Sequence, residues 1–219
     1  MYVDFAIIDT DNEDKKVKET ICSALKYNVN SITVPYYLLK SCKPILKNSN
    51  TDLSCLVDFP LGISDGKTRC YAVEQAISCG ANSIDISMPQ NLAANRKYEK
   101  IREDIRNIRT ICSDNIKIKY ILEYRSFDHR CLKKICSIFD DYKVEFATPS
   151  SGFFIDNLAD NLIASAFLHE NSKEIRVIAT GNAWTENHFS ILYKSGVYGF
   201  RTFNIESLKN FKKFIATIT

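Results

Sequence analysis

A chain of 219 residues is comfortable for one α/β barrel, which usually needs about 200 to 250 residues, and a single domain over residues 1–219 is expected. Hydrophobic residues make up 45% and charged residues 25%, the mixture of an ordinary globular domain. A formal net charge of +3 over 29 basic and 26 acidic side chains is too weak to argue for nucleic-acid or membrane partners.

In chain order, Met1–Lys16 shows no basic segment leading into a long apolar stretch, so no signal peptide is expected. No apolar run approaches about 18 residues, so no membrane span is expected. Apolar, β-branched runs predict strands at Val3–Ile8, Ser31–Val34, Leu53–Phe59, Ser83–Ser87, Ile116–Glu123, Val144–Thr148, Arg176–Thr180 and Val197–Phe203. Between them, helical periodicity covers Asp14–Lys26, with Val17, Ile21, Ala24 and Leu25 on one face. It also covers Gly66–Cys79, Asn95–Cys112, Arg130–Phe139, Asn157–His169 and Thr185–Ser195. Eight strands alternating with helices predict a closed parallel (β/α)8 TIM barrel, an open doubly wound sheet being the alternative. No linker, repeat or low-complexity tract interrupts the pattern.

The cysteines, Cys22, Cys42, Cys55, Cys70, Cys79, Cys112, Cys131 and Cys136, form no CxxC pair, and several lie inside apolar patterns. They read as reduced thiols of a cytoplasmic protein. Glycine is scarce, 7 residues in all, where average usage is about 7%. Sites that grip phosphate through backbone amides normally need glycine where the chain approaches the ligand.

Barrels of this kind keep their chemistry at the C-terminal strand ends. The polar residues predicted there are Asp4, Asp58, Asp85, Glu123, Thr148, Ser150, Asn182 and Arg201. The surrounding motifs carry a resemblance. Tyr2-Val3-Asp4 before Phe5-Ala6-Ile7-Ile8 is similar to the first strand of the deoxyribose-phosphate aldolases. Ser31-Ile32-Thr33-Val34-Pro35-Tyr36-Tyr37 resembles their second strand, with Thr33 where a cysteine is usual and one residue fewer before the proline. Phe59-Pro60-Leu61-Gly62 matches their Asn-Phe-Pro-x-Gly turn, with Asp58 in place of the asparagine. Gly80-Ala81-Asn82-Ser83-Ile84-Asp85-Ile86 and Lys119-Tyr120-Ile121-Leu122-Glu123 match two further family segments. The resemblance implies a class I aldolase-type barrel with no cofactor and a small-molecule substrate. It allows a homodimer.

The second half departs from the family. The ungapped counterpart of the sixth-strand Phe-Ile-Lys-Thr-Ser-Thr-Gly is Phe146-Ala147-Thr148-Pro149-Ser150-Ser151-Gly152, which puts Thr148 in the place of the imine-forming lysine. A second lysine, which tunes the first, becomes Ile178, and the Gly-Gly of the seventh-strand segment becomes Gly181-Asn182. The last-strand Arg-x-Gly-(Ala/Thr)-Ser of the phosphate cradle corresponds to Gly199-Phe200-Arg201-Thr202-Phe203. The chain also stops at Thr219 without a terminal tyrosine. An imine needs a primary amine, which neither threonine nor isoleucine supplies. Ordinary cleavage of deoxyribose 5-phosphate is therefore not expected.

Asp85, at the end of the third strand, reads as the proton-handling carboxylate. Lys119 and Glu123 lie an even number of residues apart on the fifth strand, so their side chains should face the same way. If they face inward, Asp85 and Lys119 form a buried ion pair, which serves catalysis or simply fills the barrel. Asp4 either caps a loop or binds a substrate hydroxyl. Asp58 accepts turn amides or contacts substrate. Thr148, Ser150 and Asn182 are candidate ligand contacts, and Ser150 equally suits an ordinary loop. Arg201 is either an anion binder or half of a surface ion pair. His129, His169 and His188 look like solvated helix residues and imply no metal site. Trp184 reads as a pocket wall or a core residue. Three functions stay open: a diverged lyase working by acid/base chemistry, an inactive binding or regulatory barrel, and an aldolase whose amine has moved to Lys119.

Overall fold

The computed structural model describes residues 1–9, 13–154 and 157–218. Thr219, the chain end noted above, lies outside them. The elements alternate throughout: β1 (Tyr2–Ala6), α1 (Asp14–Leu25), β2 (Ser31–Pro35), α2 (Leu39–Leu46), β3 (Asp52–Val57), α3 (Gly66–Ser78), β4 (Ser83–Ser87), α4 (Gln90–Ala94), α5 (Tyr98–Ile111), β5 (Lys117–Ile121), α6 (His129–Asp141), β6 (Phe146–Thr148), α7 (Leu158–Asn171), β7 (Arg176–Thr180), α8 (Glu186–Lys194), β8 (Gly199–Thr202) and α9 (Ile205–Ile218). The strands form a closed parallel barrel in sequence order, with β8 returning to β1. The predicted (β/α)8 fold is thus observed, and the open sheet is not.

Alternation along each strand decides what faces where. Val3, Phe5, Ile32, Val34, Cys55, Ile84, Ile86, Ile118, Tyr120, Val177 and Phe200 join the helix residues Val17, Ile21, Val73, Ile105, Ile135 and Phe211 in one apolar cluster. Each fully buried side chain of this size contributes about 1.5–3 kcal/mol. The residues between them in sequence point into the lumen, and many are polar: Asp4, Ser31, Thr33, Ser54, Asp85, Lys119, Thr148, Thr180 and Arg201, all buried. Parallel barrels usually fill the lumen with branched apolar residues. Here charge and hydroxyls take that place.

Predicted boundaries shift by one or two residues at most strand ends. Asp85 sits in the middle of β4, the fourth strand and not the third. The predicted Asn95–Cys112 helix begins later, because Arg96 adopts a left-handed φ of 55° that separates α4 from α5. The helices α2, α4 and α9 had no counterpart in the periodicity reading. In α2 the signal is masked by Pro44, which sits inside the helix. No described helix is long and apolar enough to cross a membrane.

Outside the barrel, Arg69 of α3 is 1% exposed and joins two carboxylates. Its guanidinium meets Asp58 at 2.6 Å and Asp104 of α5 at 2.9 Å. Asp58 also accepts the Ser64 amide at 3.2 Å and the Ser64 hydroxyl at 2.7 Å. Its left-handed φ of 53° turns the chain into the Phe59–Ile63 loop. Arg69→Met should leave two buried carboxylates without a counter-charge and cost about 3–5 kcal/mol, read as a lowered urea midpoint at unchanged slope. A loss under about 1 kcal/mol would show that the triad is not what anchors this loop.

Candidate functional site

The centre of the lumen holds four charges. Asp4 of β1 and Arg201 of β8 are Cα partners in adjacent strands, and Asp85 of β4 is the Cα partner of Lys119 of β5. In an eight-stranded ring these two pairs occupy opposite walls. Their side chains meet across the middle: the Arg201 guanidinium bonds both Asp4 and Asp85, its Nε lying 2.9 Å from Asp4 Oδ2. Lys119 Nζ lies 2.7 Å from Asp85 and 3.2 Å from Asp4. Hydroxyls complete the shell. Thr33 donates to Asp4 at 2.8 Å, Ser54 donates to Asp85 at 2.5 Å, and Lys119 donates to Ser31 at 3.3 Å. The four charged side chains are at most 1% exposed.

Two cations against two anions leave the cluster neutral, which is what makes its burial tolerable. Burial pushes the Asp4 carboxyl up, but Arg201 and Lys119 beside it outweigh that and hold it at about 2. Burial pulls Lys119 down, yet Asp4 and Asp85 overcome it and hold the ammonium above its ordinary range. Arg201 is likewise held protonated by the same two carboxylates against the effect of burial. An amine in this state is charged at neutral pH and is not a nucleophile.

Toward the C-terminal end of the lumen lies a hydroxyl layer. Ser87 at the end of β4, Ile121 of β5 and Thr148 of β6 are successive register partners. The Oγ of Ser87 and the Oγ1 of Thr148 are buried and have no hydrogen-bond partner among the described residues. An unanswered buried hydroxyl costs about 1–3 kcal/mol, so both are places where a ligand oxygen or a water would be accepted. Thr180 donates to the Ser150 carbonyl at 3.1 Å, and the Ser150 hydroxyl meets Asn161 of α7 at 3.1 Å. Asn182 is half-buried just beyond β7.

The sequence-derived candidates therefore separate. Asp4, Asp85, Lys119 and Arg201 converge, and the conditional Asp85–Lys119 ion pair is present. Arg201 is neither a surface pair nor an open anion site, because both of its acidic partners are buried in the lumen. Glu123 does not join them. β5 ends at Ile121, and Glu123 turns away with a left-handed φ of 48°. Even spacing along a strand loses its meaning there. Its carboxylate accepts the Ser151 amide at 2.5 Å, tying the loops after β5 and β6, and burial pushes its pKa up. Asp58 serves its turn and Arg69, as the turn alternative has it. Trp184 is 46% exposed, and its amide donates to His188 Nδ1; it is not a core residue. His129 opens α6 stacked on Phe167. No group of three or more metal-ligating side chains occurs among the described residues.

Sequence reasoning missed the hydroxyl shell of Ser31, Ser54 and Ser87, as well as Arg69. The shell had a signal, the period-two recurrence of polar residues in Ser31/Thr33 and Ser83/Asp85/Ser87. Arg69 had none, since one arginine on a helix reads as solvated.

No family model matches the chain. It is 26% identical over 152 residues to deoxyribose-phosphate aldolase 1 of Mesoplasma florum, covering 69% of each chain. Against the deoxyribose-phosphate aldolase of Finegoldia magna it is 25% identical over 194 residues, covering 82% of this chain and 91% of that one. Among solved structures, "QR15, an Aldolase" superposes with a TM-score of 0.87 at 19% identity, covering 100% and 97% of the two chains. A deoxyribose phosphate aldolase from Aeropyrum pernix, described as tetrameric, gives 0.82 at 14% identity, covering 99% and 90%. The structural likenesses define the class by fold, a (β/α)8 barrel. The sequence relatives are named deoxyribose-phosphate aldolases, and this chain is similar to them at 25–26% identity.

The cluster sets an acid limit. The lowered Asp4 pKa, about 2 against an ordinary 3.8, contributes about 2 kcal/mol that is present above roughly pH 4 and lost as pH falls through 2. The raised Lys119 pKa contributes stability that is full at neutral pH and lost only on the far alkaline side. Urea titrations from pH 7 to 2 should show the acid-side loss, and Asp4→Asn should flatten that limb while lowering stability at pH 7. An unchanged limb in the variant would assign the acid sensitivity elsewhere.

Proposed function

We propose that this chain is a diverged aldolase-type barrel that handles a small carbonyl or hydroxylated, sugar-like compound by proton transfer, without a lysine imine. The observation that carries the reading is the state of Lys119. The ammonium at the centre of the lumen is buried and shared between Asp85 and Asp4, so it supplies no free amine. Thr148 and Ile178, at the family's two lysine positions by resemblance, are both fully buried and carry no amine either. A relocated imine on Lys119 is disfavoured by the same contacts.

In this reading Asp85 is the acid/base group and Lys119 its charge partner. Arg201, itself anchored on Asp4, holds that carboxylate in place. The unanswered hydroxyls of Thr148 and Ser87 receive an oxygen of the bound compound. A second reading, binding without turnover, is favoured by one observation: both Asp85 oxygens already accept charge-assisted bonds, so proton transfer requires a ligand to displace one of them. A cytoplasmic setting is supported by eight free cysteines, five of them buried. Assembly into a homodimer belongs to the same proposal, prompted by the oligomeric description of the Aeropyrum pernix protein.

Purified protein incubated with deoxyribose 5-phosphate should give neither cleavage nor a borohydride-trapped adduct. A trapped adduct that vanishes in Lys119→Ala would overturn the reading and establish a moved imine. Thr148→Val removes the unanswered hydroxyl at nearly constant volume, so thermal stability should stay level or rise, by up to about 1 kcal/mol. In the same variant, stabilisation by small aldehydes such as glyceraldehyde should disappear. Undiminished stabilisation in the variant would remove Thr148 from the site.

A further inference from the structure

The rim above β6, β7 and β8 decides what kind of compound can reach the unanswered hydroxyls of the lumen. In barrels of this class a phosphate site usually forms from the loops after the seventh and eighth strands and the N-terminus of a following helix. Free amides and the helix dipole draw the anion there. Here those amides are engaged by the chain itself. The Asn204 amide donates to Thr202 Oγ1 at 3.3 Å, and Asn204 Oδ1 accepts the Glu206 and Ser207 amides of α9 at 2.8 and 3.2 Å. The Ser207 hydroxyl donates to the Ala183 carbonyl beyond β7 at 2.7 Å. At the start of α8, Thr185 accepts the His188 amide at 3.3 Å and His188 Nδ1 accepts the Trp184 amide at 3.1 Å. Lys209, the first lysine of α9, lies 3.4 Å from Glu206.

An aromatic ring lies over the same strand ends. Phe203, the first residue after β8, is half-buried, and its ring rests on Gly152 in the loop after β6. A Cβ at Gly152 would run into that ring and would lie 3.2 Å from Thr180 Cγ2 at the end of β7. The ring thus bridges from β8 to the β6 loop beside Thr180 and presents an apolar edge to anything entering there. Below it, Lys119 and Arg201 are matched by Asp4 and Asp85. A phosphate lowered into the lumen would therefore add uncompensated charge to a neutral buried cluster. A hydroxyl or carbonyl group meets no such cost. Ser87 Oγ and Thr148 Oγ1 are fully buried without a partner among the described residues, and each can donate to or accept from a neutral oxygen. The two flank Ile121 in register, so their backbones lie about two strand spacings, ~9.6 Å, apart, a gap that a short-chain compound crosses.

We propose that the lumen takes an uncharged, unphosphorylated hydroxyaldehyde or polyol of short chain, and that Phe203 sets this preference by closing the rim to a phosphate group. This deepens the proton-transfer reading and rests on it for placing the compound against Ser87 and Thr148.

The test is an NMR titration of the full chain with glyceraldehyde, glyceraldehyde 3-phosphate and inorganic phosphate, followed at the Ile121 methyl groups. Glyceraldehyde should shift them and bind several-fold more tightly than its 3-phosphate. Inorganic phosphate should neither shift them nor compete. In Phe203→Ala, which removes the ring from the rim, the preference should fall several-fold because the 3-phosphate gains affinity. Equal or tighter binding of the 3-phosphate by the unaltered chain would overturn the proposal and leave the proton-transfer reading standing. No shift at Ile121 with either aldehyde would instead remove that reading, and the proposal with it. An undiminished preference in Phe203→Ala, in a variant whose methyl spectrum shows it folded, would overturn the role given to Phe203.

Discussion

Everything in the barrel interior answers to one constraint, that four charged groups removed from water must each find an opposite charge. Moving an ion of this kind out of water costs several kcal/mol even after the surroundings relax. Each wall supplies one pair, Arg201 with Asp4 and Lys119 with Asp85, and bonds across the lumen join the two pairs. The long Arg201 side chain starts from β8 and reaches Asp85 on β4, and Lys119 starts from β5 and reaches Asp4 on β1. The joining of the two pairs into one cluster requires the ring to be closed and in register, and the cluster penalises any register slip that would turn a charge onto the apolar outer face.

Outside the barrel the same device recurs on a smaller scale. Arg69 joins a strand-end carboxylate to a helix carboxylate and so fixes a rim loop. The inner cluster balances two cations against two carboxylates beneath unanswered hydroxyls, whereas the outer triad shares one guanidinium between two carboxylates.

Arg201 carries much of this balance. Its guanidinium reaches both lumen carboxylates and, with Lys119, supplies the positive charge that they require.

The closed barrel was legible in the sequence because strand alternation and helical periodicity are local signals. The same alternation placed Asp85 and Lys119 close enough to predict their pairing, since the two occupy matched positions on neighbouring strands. It failed at Glu123, where a single left-handed residue beyond the strand end cancels the even spacing, and it could not find the partners of Arg201. Those partners lie 197 and 116 residues away in the chain, and no periodic pattern encodes which side chains meet across a closed ring. The sequence by itself determined which residues face inward and which face the helices. Only the tertiary structure decided which inward charges answer one another, because that depends on register around all eight strands and on side-chain reach across the lumen.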